Sequence, residues 1–446
     1  MKPVDRPQRW LILAHPFNMD GRAASHTITD KIPHLLAAGI ELVVISGVTG
    51  RLDDRFEHHQ VWSWGPSGFK FELRHVLKQK IHSKLGYRIS MLLMSLILLP
   101  LIFIERLLKP VESSWSWCFS ANHLGRRLAR QKPFDLIYST AGPFAAHLAA
   151  QSLKKTLKVP WLAEIHDPLV LPGTIPATRR QKAYADVERR ICEDSDIAIW
   201  FTDQALKSAR KRHPILGNKG RVLLPGVDNP FENNLPEYKR QQKLIVGHFG
   251  SLSATRTLSP FINALALLKN KHQDAYKDLE VHIYGGQLDE ISTRLSLELK
   301  VTDHLIQHGR LEKDSASGLS GRDQVLIQMR QCDILALVHG DDPMCSEYIP
   351  SKLYEYLWMQ RPIVATVHDN PQMARILEEQ GHNVVDFSQR NGGRASEVAA
   401  CVCEHLYRHW QDWKSKGISD TKHITPYTSL AATSQVIGFA QEIFVK

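Results

Sequence analysis

The chain has no Gly-x4-Gly-Lys-Ser/Thr phosphate loop, no Gly-x-Gly-x-x-Gly turn, and no serine or cysteine in a nucleophile motif. These absences argue against P-loop hydrolases, dinucleotide-dependent dehydrogenases and the common covalent hydrolases. Cysteine is sparse. Cys118, Cys192, Cys332, Cys345, Cys401 and Cys403 lie scattered, and a chain of this length needs no disulfide staples, so reduced thiols in a cytoplasmic setting are expected. No metal site is expected. Cys401, Cys403 and His405 sit two apart, which on a helix is not one face, and they have no second ligand pair; they read as core cysteines. Asp194-Ser195-Asp196 reads as a solvated turn, Asp341-Asp342 is too little for a cation, and His58-His59 reads as surface loop. The polar stretch Met1–Arg9 runs into an apolar segment that ends by His15, too short for a signal peptide.

What is present is a large apolar complement: 43% of 446 residues, more than one ordinary domain needs, so two domains are expected. The net charge of +10 points to an anionic partner: nucleic acid, acidic lipid or a phosphorylated substrate. Buried strands are read at Trp10–Ala14, Glu41–Ile45, Phe134–Tyr138, Trp161–Ile165, Ile197–Trp200 and Val222–Leu224, with helices between them. That alternation makes βαβ units and a parallel sheet. The chain turns polar from Asp228, and 231–243 reads as a linker. A second α/β series fills 244–428, with strands at Leu244–Phe249, Glu280–Tyr284, Ile334–Val338 and Ile363–Thr366. A last helix covers 429–446. The fold class is α/β, with a domain of 1–230, a second of 244–428, and a cleft facing the carboxyl ends of both sheets.

Ile89–Ile104 breaks this rhythm. It is almost wholly apolar, interrupted by Pro100, and flanked by Lys78, Lys80, Lys84, Arg88, Arg106 and Lys109, with Trp115 and Trp117 beyond. It falls short of the roughly 20 residues that span hydrocarbon. It reads as a monotopic or re-entrant anchor on an anionic leaflet; the competing reading is a fully buried helix.

The element with most chemistry is Glu347-Tyr348-Ile349-Pro350-Ser351-Lys352-Leu353-Tyr354-Glu355. Pro350-Ser351 reads as a helix start. Backbone N–H groups of Ser351, Lys352 and Leu353 are then expected to face an anion such as a diphosphate, aided by the helix dipole. Glu355 is set to hold ribose hydroxyls and Glu347 a sugar.

Pro350-Ser351-Lys352-Leu353-Tyr354-Glu355-Tyr356-Leu357, with Arg361-Pro362-Ile363-Val364-Ala365 after it, resembles the donor-site helix of family-4 retaining glycosyltransferases. Glu164-Ile165-His166-Asp167-Pro168, Leu224-Pro225-Gly226-Val227-Asp228 and Gly247-His248-Phe249-Gly250-Ser251 with Arg256 resemble further family segments in the same order. The resemblance covers most of the chain and is weakest over 56–116. It departs at Asp20-Gly21, where the family usually has two glycines, and at Pro225-Gly226, where it often has Asn-Gly. The resemblance implies the GT-B fold, two Rossmann-like domains with the last helix crossing back to the first. It implies catalytic roles for His166, Glu347 and Arg256. It implies donor-binding roles for Gly21, Gly250, Ser251, Ser351, Lys352, Leu353 and Glu355, and neither metal nor cofactor. The expected partners are a nucleoside diphosphate sugar, a glycan or lipid-linked acceptor and an anionic membrane surface, with no nucleic acid. The expected place is the cytoplasmic face of the cell membrane. Two other readings stand: a nucleotide-sugar epimerase of the same fold, and a non-catalytic binder of anionic polymers.

Overall fold

The computed structural model describes residues 6–19, 22–81, 83–141, 144–231, 234–312, 314, 318–387, 395–421 and 425–445. The chain forms two units, Met1–Gly226 with Thr428–Lys446, and Val227–Tyr427.

The first unit is a seven-stranded parallel sheet of β1 (Arg9–Leu13), β2 (Glu41–Ser46), β3 (Glu57–Gln60), β4 (Leu136–Ala141), β5 (Trp161–Ile165), β6 (Ile197–Trp200) and β7 (Gly220–Val222), in the order β3-β2-β1-β4-β5-β6-β7. β1 and β5 are buried at every position, as strands covered on both faces must be. The last helix, Ser429–Val445, belongs to this unit. Its Ala432, Val436 and Ala440 join the core around Ile32, Leu35 and Val44, and Glu442 pairs with Arg221.

The second unit is a six-stranded parallel sheet of β8 (Leu244–Gly250), β9 (Leu279–Gly285), β10 (Leu305–Gly309), β11 (Ile334–Val338), β12 (Ile363–Val367) and β13 (Asn383–Asp386), in the order β10-β9-β8-β11-β12-β13. From the expected linker 231–243, Pro236, Tyr238 and Lys239 pack onto it. Tyr238 hydroxyl donates to Asp333, Lys239 N–H to Gln331 (3.1 Å), and Arg330 Nε to the Pro236 carbonyl (2.9 Å).

Three strands escape the sequence reading: β3, β10 and β13. Each lies at a sheet edge, where one flank is solvated and the apolar run is broken. This corrects His58-His59, which are strand residues, with His58 Nε2 2.9 Å from Ser46 Oγ. Cys401 is also corrected: it is exposed, whereas Cys403 is in the core.

The apolar run 89–104 is part of a longer helix, Lys84–Leu108, of 25 residues. At ~1.5 Å per residue it is about 37 Å long, so by length and composition it is able to cross a membrane. The reading as a fully buried helix is overturned. Only Met94, Ile102 and Glu105 are buried, while Ile97 is 70% and Phe103 65% exposed. With Pro66–Lys80 it forms a hairpin fastened at its root. Glu105 accepts from Ser67 N–H and Trp115 Nε1, both at 2.7 Å. A side chain at Gly65 would come within 2.3 Å of that same carboxylate and would have to displace it.

Candidate functional site

In the second unit, β8 and β11 are neighbours from which the chain departs in opposite directions. Open parallel sheets bind ligands at the carboxyl ends of such a pair. β8 ends at Gly250, whose φ of +146° suits glycine, and Gly285 closes β9 with φ +116°. A side chain on Gly285 would lie 2.6 Å from the Gly250 carbonyl, so both strand tips are bare backbone. Ser251 follows directly. The next turn is tied by paired Ser253–Arg256 backbone hydrogen bonds of 3.0 Å. It also touches the loop after β11, where Asp341 N–H donates to the Thr255 carbonyl (2.8 Å). Arg256 lies 6.0 Å from the Tyr348 ring centre, and its Nε is buried without a hydrogen-bond partner among the described residues.

Glu347 ends a short 3-10 turn, Pro343–Glu347, and is buried. Two side chains hold its neighbour. Asn370 Nδ2 donates to the Cys345 and Tyr348 carbonyls at 2.9 and 2.8 Å, and His339 Nε2 meets Tyr348 O at 3.2 Å. His339 Nδ1 accepts from the His368 N–H (3.2 Å), which leaves the proton on Nε2. Burial lowers His339 and His248 alike to about 4, so both imidazoles are neutral at pH 7.

The helix after Ser351 runs Lys352–Trp358. Lys352 Nζ is 2.7 Å from Glu355 Oε2, and Arg322 Nε lies 3.6 Å from Oε1. Glu355 is thus a mostly buried carboxylate between two cations. The expectation for Leu353 is corrected. Its N–H donates to the Pro350 carbonyl (3.0 Å), because the proline starts a turn just before the helix, so that amide does not face a ligand. Gly250, Ser251, Arg256, Glu347, Ser351, Lys352 and Glu355 therefore all belong to the second unit.

His166 belongs to the first unit, just past β5. Its Nε2 lies 2.8 Å from Thr140 Oγ1 and 3.0 Å from Glu164 Oε1, and its ring stacks on Phe201 at 4.8 Å. Thr140 donates to Glu164 (2.8 Å), so it accepts from His166 Nε2–H. Nδ1 is buried and without a hydrogen-bond partner among the described residues. Fully buried Glu164 also takes Lys31 Nζ (2.9 Å) and Tyr138 hydroxyl (2.7 Å). Burial pushes its carboxyl up, but Lys31, His166 and the hydrogen bonds together hold it well below the usual range. Gly21 lies outside the described residues.

Sequence reasoning missed Glu164, Lys31, Arg322, His339, Asn370 and Gly285. Glu164 stood in the quoted strand but looked like one more strand residue. Its partner Lys31 is 133 positions away, and no local spacing reports such a pair.

No family model matches the chain. A curated relative, the probable glycosyltransferase WbjE of Pseudomonas aeruginosa, is 25% identical over 271 residues; the match covers 57% of this chain and 62% of the relative, less than two thirds of its length. Among solved structures, the α,α-trehalose 6-phosphate synthase of Burkholderia multivorans superposes with a TM-score of 0.60 at 12% identity, over 99% of both chains. Sucrose-phosphate synthase of Thermosynechococcus elongatus gives 0.59 at 12% identity, over 98% of this chain and 99% of that one. HepE of Anabaena, solved with UDP-glucose, gives 0.52 at 14% identity over 98% of both. The fold is the GT-B arrangement of two Rossmann-like domains.

Proposed function

We propose that the chain is a glycosyltransferase that moves a sugar from a nucleoside diphosphate sugar to an acceptor hydroxyl. The observation that carries this reading is the switch-point cluster of the second unit: bare glycine tips at Gly250 and Gly285, Arg256 on the adjoining loop, and Lys352 with Glu355 on the following helix. A diphosphate needs close backbone and cations; a ribose needs a carboxylate. All three stand within one unit. The relative WbjE, and the UDP-glucose held by HepE, support the same reading.

In the proposed mechanism, negative charge grows on the diphosphate as the sugar–phosphate bond breaks. Arg256 and Lys352 neutralise it, so the reaction proceeds without a metal. Glu355 exchanges its hold on Lys352 for the ribose hydroxyls as the lysine turns to phosphate. Glu347 orients the sugar. His166 presents Nδ1 in a fixed orientation, because Glu164 and Thr140 hold Nε2–H. The anomeric configuration is retained, and the departing phosphate oxygen takes the acceptor proton. A lipid-linked or cell-surface glycan precursor is the proposed acceptor, met at the inner face of the cell membrane on which the exposed Lys84–Leu108 helix docks.

The test is product analysis with a bound nucleotide sugar. Transfer with retained configuration, seen only when acceptor is added, is the expected result. Epimerised or hydrolysed sugar without acceptor would instead establish the epimerase alternative.

A further inference from the structure

On the first unit, a cavity of about 750 Å³ lies at the end of the long apolar helix. Its wall includes Trp64, Leu108, Lys109, Phe119, Asn122 and Arg126. The wall has two characters. Trp64 is 70% exposed and its ring centre is 5.9 Å from that of Phe119, so large aromatics stand at the surface. Leu108 belongs both to this wall and to the exposed apolar face of the helix, so the apolar surface continues from helix to cavity. Exposed aromatics beside an apolar helix are the pattern of a membrane–water boundary.

The other character is cationic. Lys109, Arg126, Arg179 and Arg190 line the cavity against a single acid, Asp186, which Arg190 already holds at 2.7 Å. Arg179 donates to the Leu107 carbonyl (2.9 Å) and so fixes the helix end against this wall. Arg126 Nε and Asn122 Nδ2 are buried and make no hydrogen bond among the described residues. Buried donors of this kind ordinarily have an acceptor, and here they share a wall with three further cations. The cavity is large enough for a headgroup and the start of its chains, and its apolar rim offers contact to chains that a bare inorganic anion lacks.

We propose that this cavity binds the phosphate-bearing headgroup of an anionic membrane lipid, with the lipid chains lying along the exposed face of the Lys84–Leu108 helix. The proposal rests on the reading that this helix docks on membrane, and is independent of glycosyl transfer. A bound headgroup fixes the depth at which the first unit sits.

The test uses the full chain. Thermal unfolding is followed with a short-chain phosphatidylglycerol, a short-chain phosphatidylcholine, and glycerol phosphate. Phosphatidylglycerol alone is expected to stabilise. Arg126→Gln should weaken that binding about five-fold, the loss expected for one basic residue at an anionic surface. Arg127→Gln, which removes the same charge from an exposed site outside the wall, should not. Lys109→Gln serves if Arg126→Gln fails to fold. Equal stabilisation by glycerol phosphate would mean a free-anion site, and equal stabilisation by phosphatidylcholine a purely apolar one. Equal losses in Arg126→Gln and Arg127→Gln would mean diffuse charge; each of these overturns the proposal. Ile97→Asn separates the membrane reading. It should lower sedimentation with phosphatidylglycerol vesicles while short-chain lipid still binds; unchanged sedimentation would remove the helix as the docking element.

Discussion

The two units share one strand order over six strands and differ most between the third and the fourth. Each sheet has a first strand flanked by a second and a fourth, β1 beside β2 and β4, β8 beside β9 and β11. Between β10 and β11 the second unit carries one described helix, Gly321–Gln331. At the corresponding place, between β3 and β4, the first unit carries the hairpin Pro66–Lys80 and Lys84–Leu108 and then Trp117–Gln131. The second unit keeps its charges near the strand tips, where the proposed donor site lies. The first adds an apolar outer surface, and also buries an ion pair at its tips. Glu72 links the two features of the first unit. From the hairpin it reaches His15 Nε2 beyond β1 (2.9 Å) and the Ser63 hydroxyl (2.8 Å). The difference teaches that one sheet order accommodates an exposed apolar helix beside one sheet and a single described helix beside the other.

The largest effect that sharpens this contrast lies in the first unit. Lys31→Met leaves Glu164 buried without its cation, and should lower unfolding free energy by about 3–5 kcal/mol. Chemical denaturation reads this directly, and a change below about 1 kcal/mol would mean that the pair is not the anchor of His166. In the second unit the proposed site gives Arg256 a ligand, not a buried partner, to neutralise. Arg256→Ala should reduce transfer by about 100- to 1000-fold with an unchanged melting temperature. A destabilised but active variant would reverse the assignment.

A smaller effect is shared by both units. Burial lowers His147 to about 3 and His248 and His339 to about 4. A group whose folded pKa is depressed contributes stability above its unfolded value, and that stability is lost as pH falls toward the folded one. Denaturation midpoints should therefore hold above pH ~6.5 and decline on acidification, by roughly 1–3 kcal/mol per histidine. Glu164 adds its own loss only below the usual carboxylate range. A flat midpoint from about pH 7 to about pH 5 would show that these rings are not buried in neutral form. The smallest effect belongs to the outer surface. Ile97→Asn, at a 70% exposed position, should leave stability within about 0.5 kcal/mol, because most of the side chain already faces solvent.

The difference between the units also explains what was legible in the sequence. Ile334–Val338 is buried on both faces, so an apolar run marks it from end to end, and in Trp161–Ile165 only Glu164 breaks the run. β3, with Glu57-His58-His59-Gln60, carries no such run because it is an edge. The helix start at Pro350-Ser351 and the Lys352–Glu355 spacing were legible because they are local. Glu164 with Lys31, Arg322 with Glu355, and Gly285 against Gly250 were not, since each joins distant segments. The true length of the Lys84–Leu108 helix was hidden by its ends. Lys84, Arg88 and Arg106 interrupt the apolar count but not the helix.

The proposed donor site at the tips of β8 and β11 stands or falls on nucleotide binding. Calorimetric titration with a panel of nucleoside diphosphates and their sugars measures that binding. One nucleotide is expected to bind, Glu355→Ala to weaken it by roughly tenfold or more, the scale of a lost hydrogen bond to a charged group, and Arg126→Gln to leave it untouched. Binding that survives both Glu355→Ala and Arg256→Ala, or no binding by any member of the panel, would contradict it.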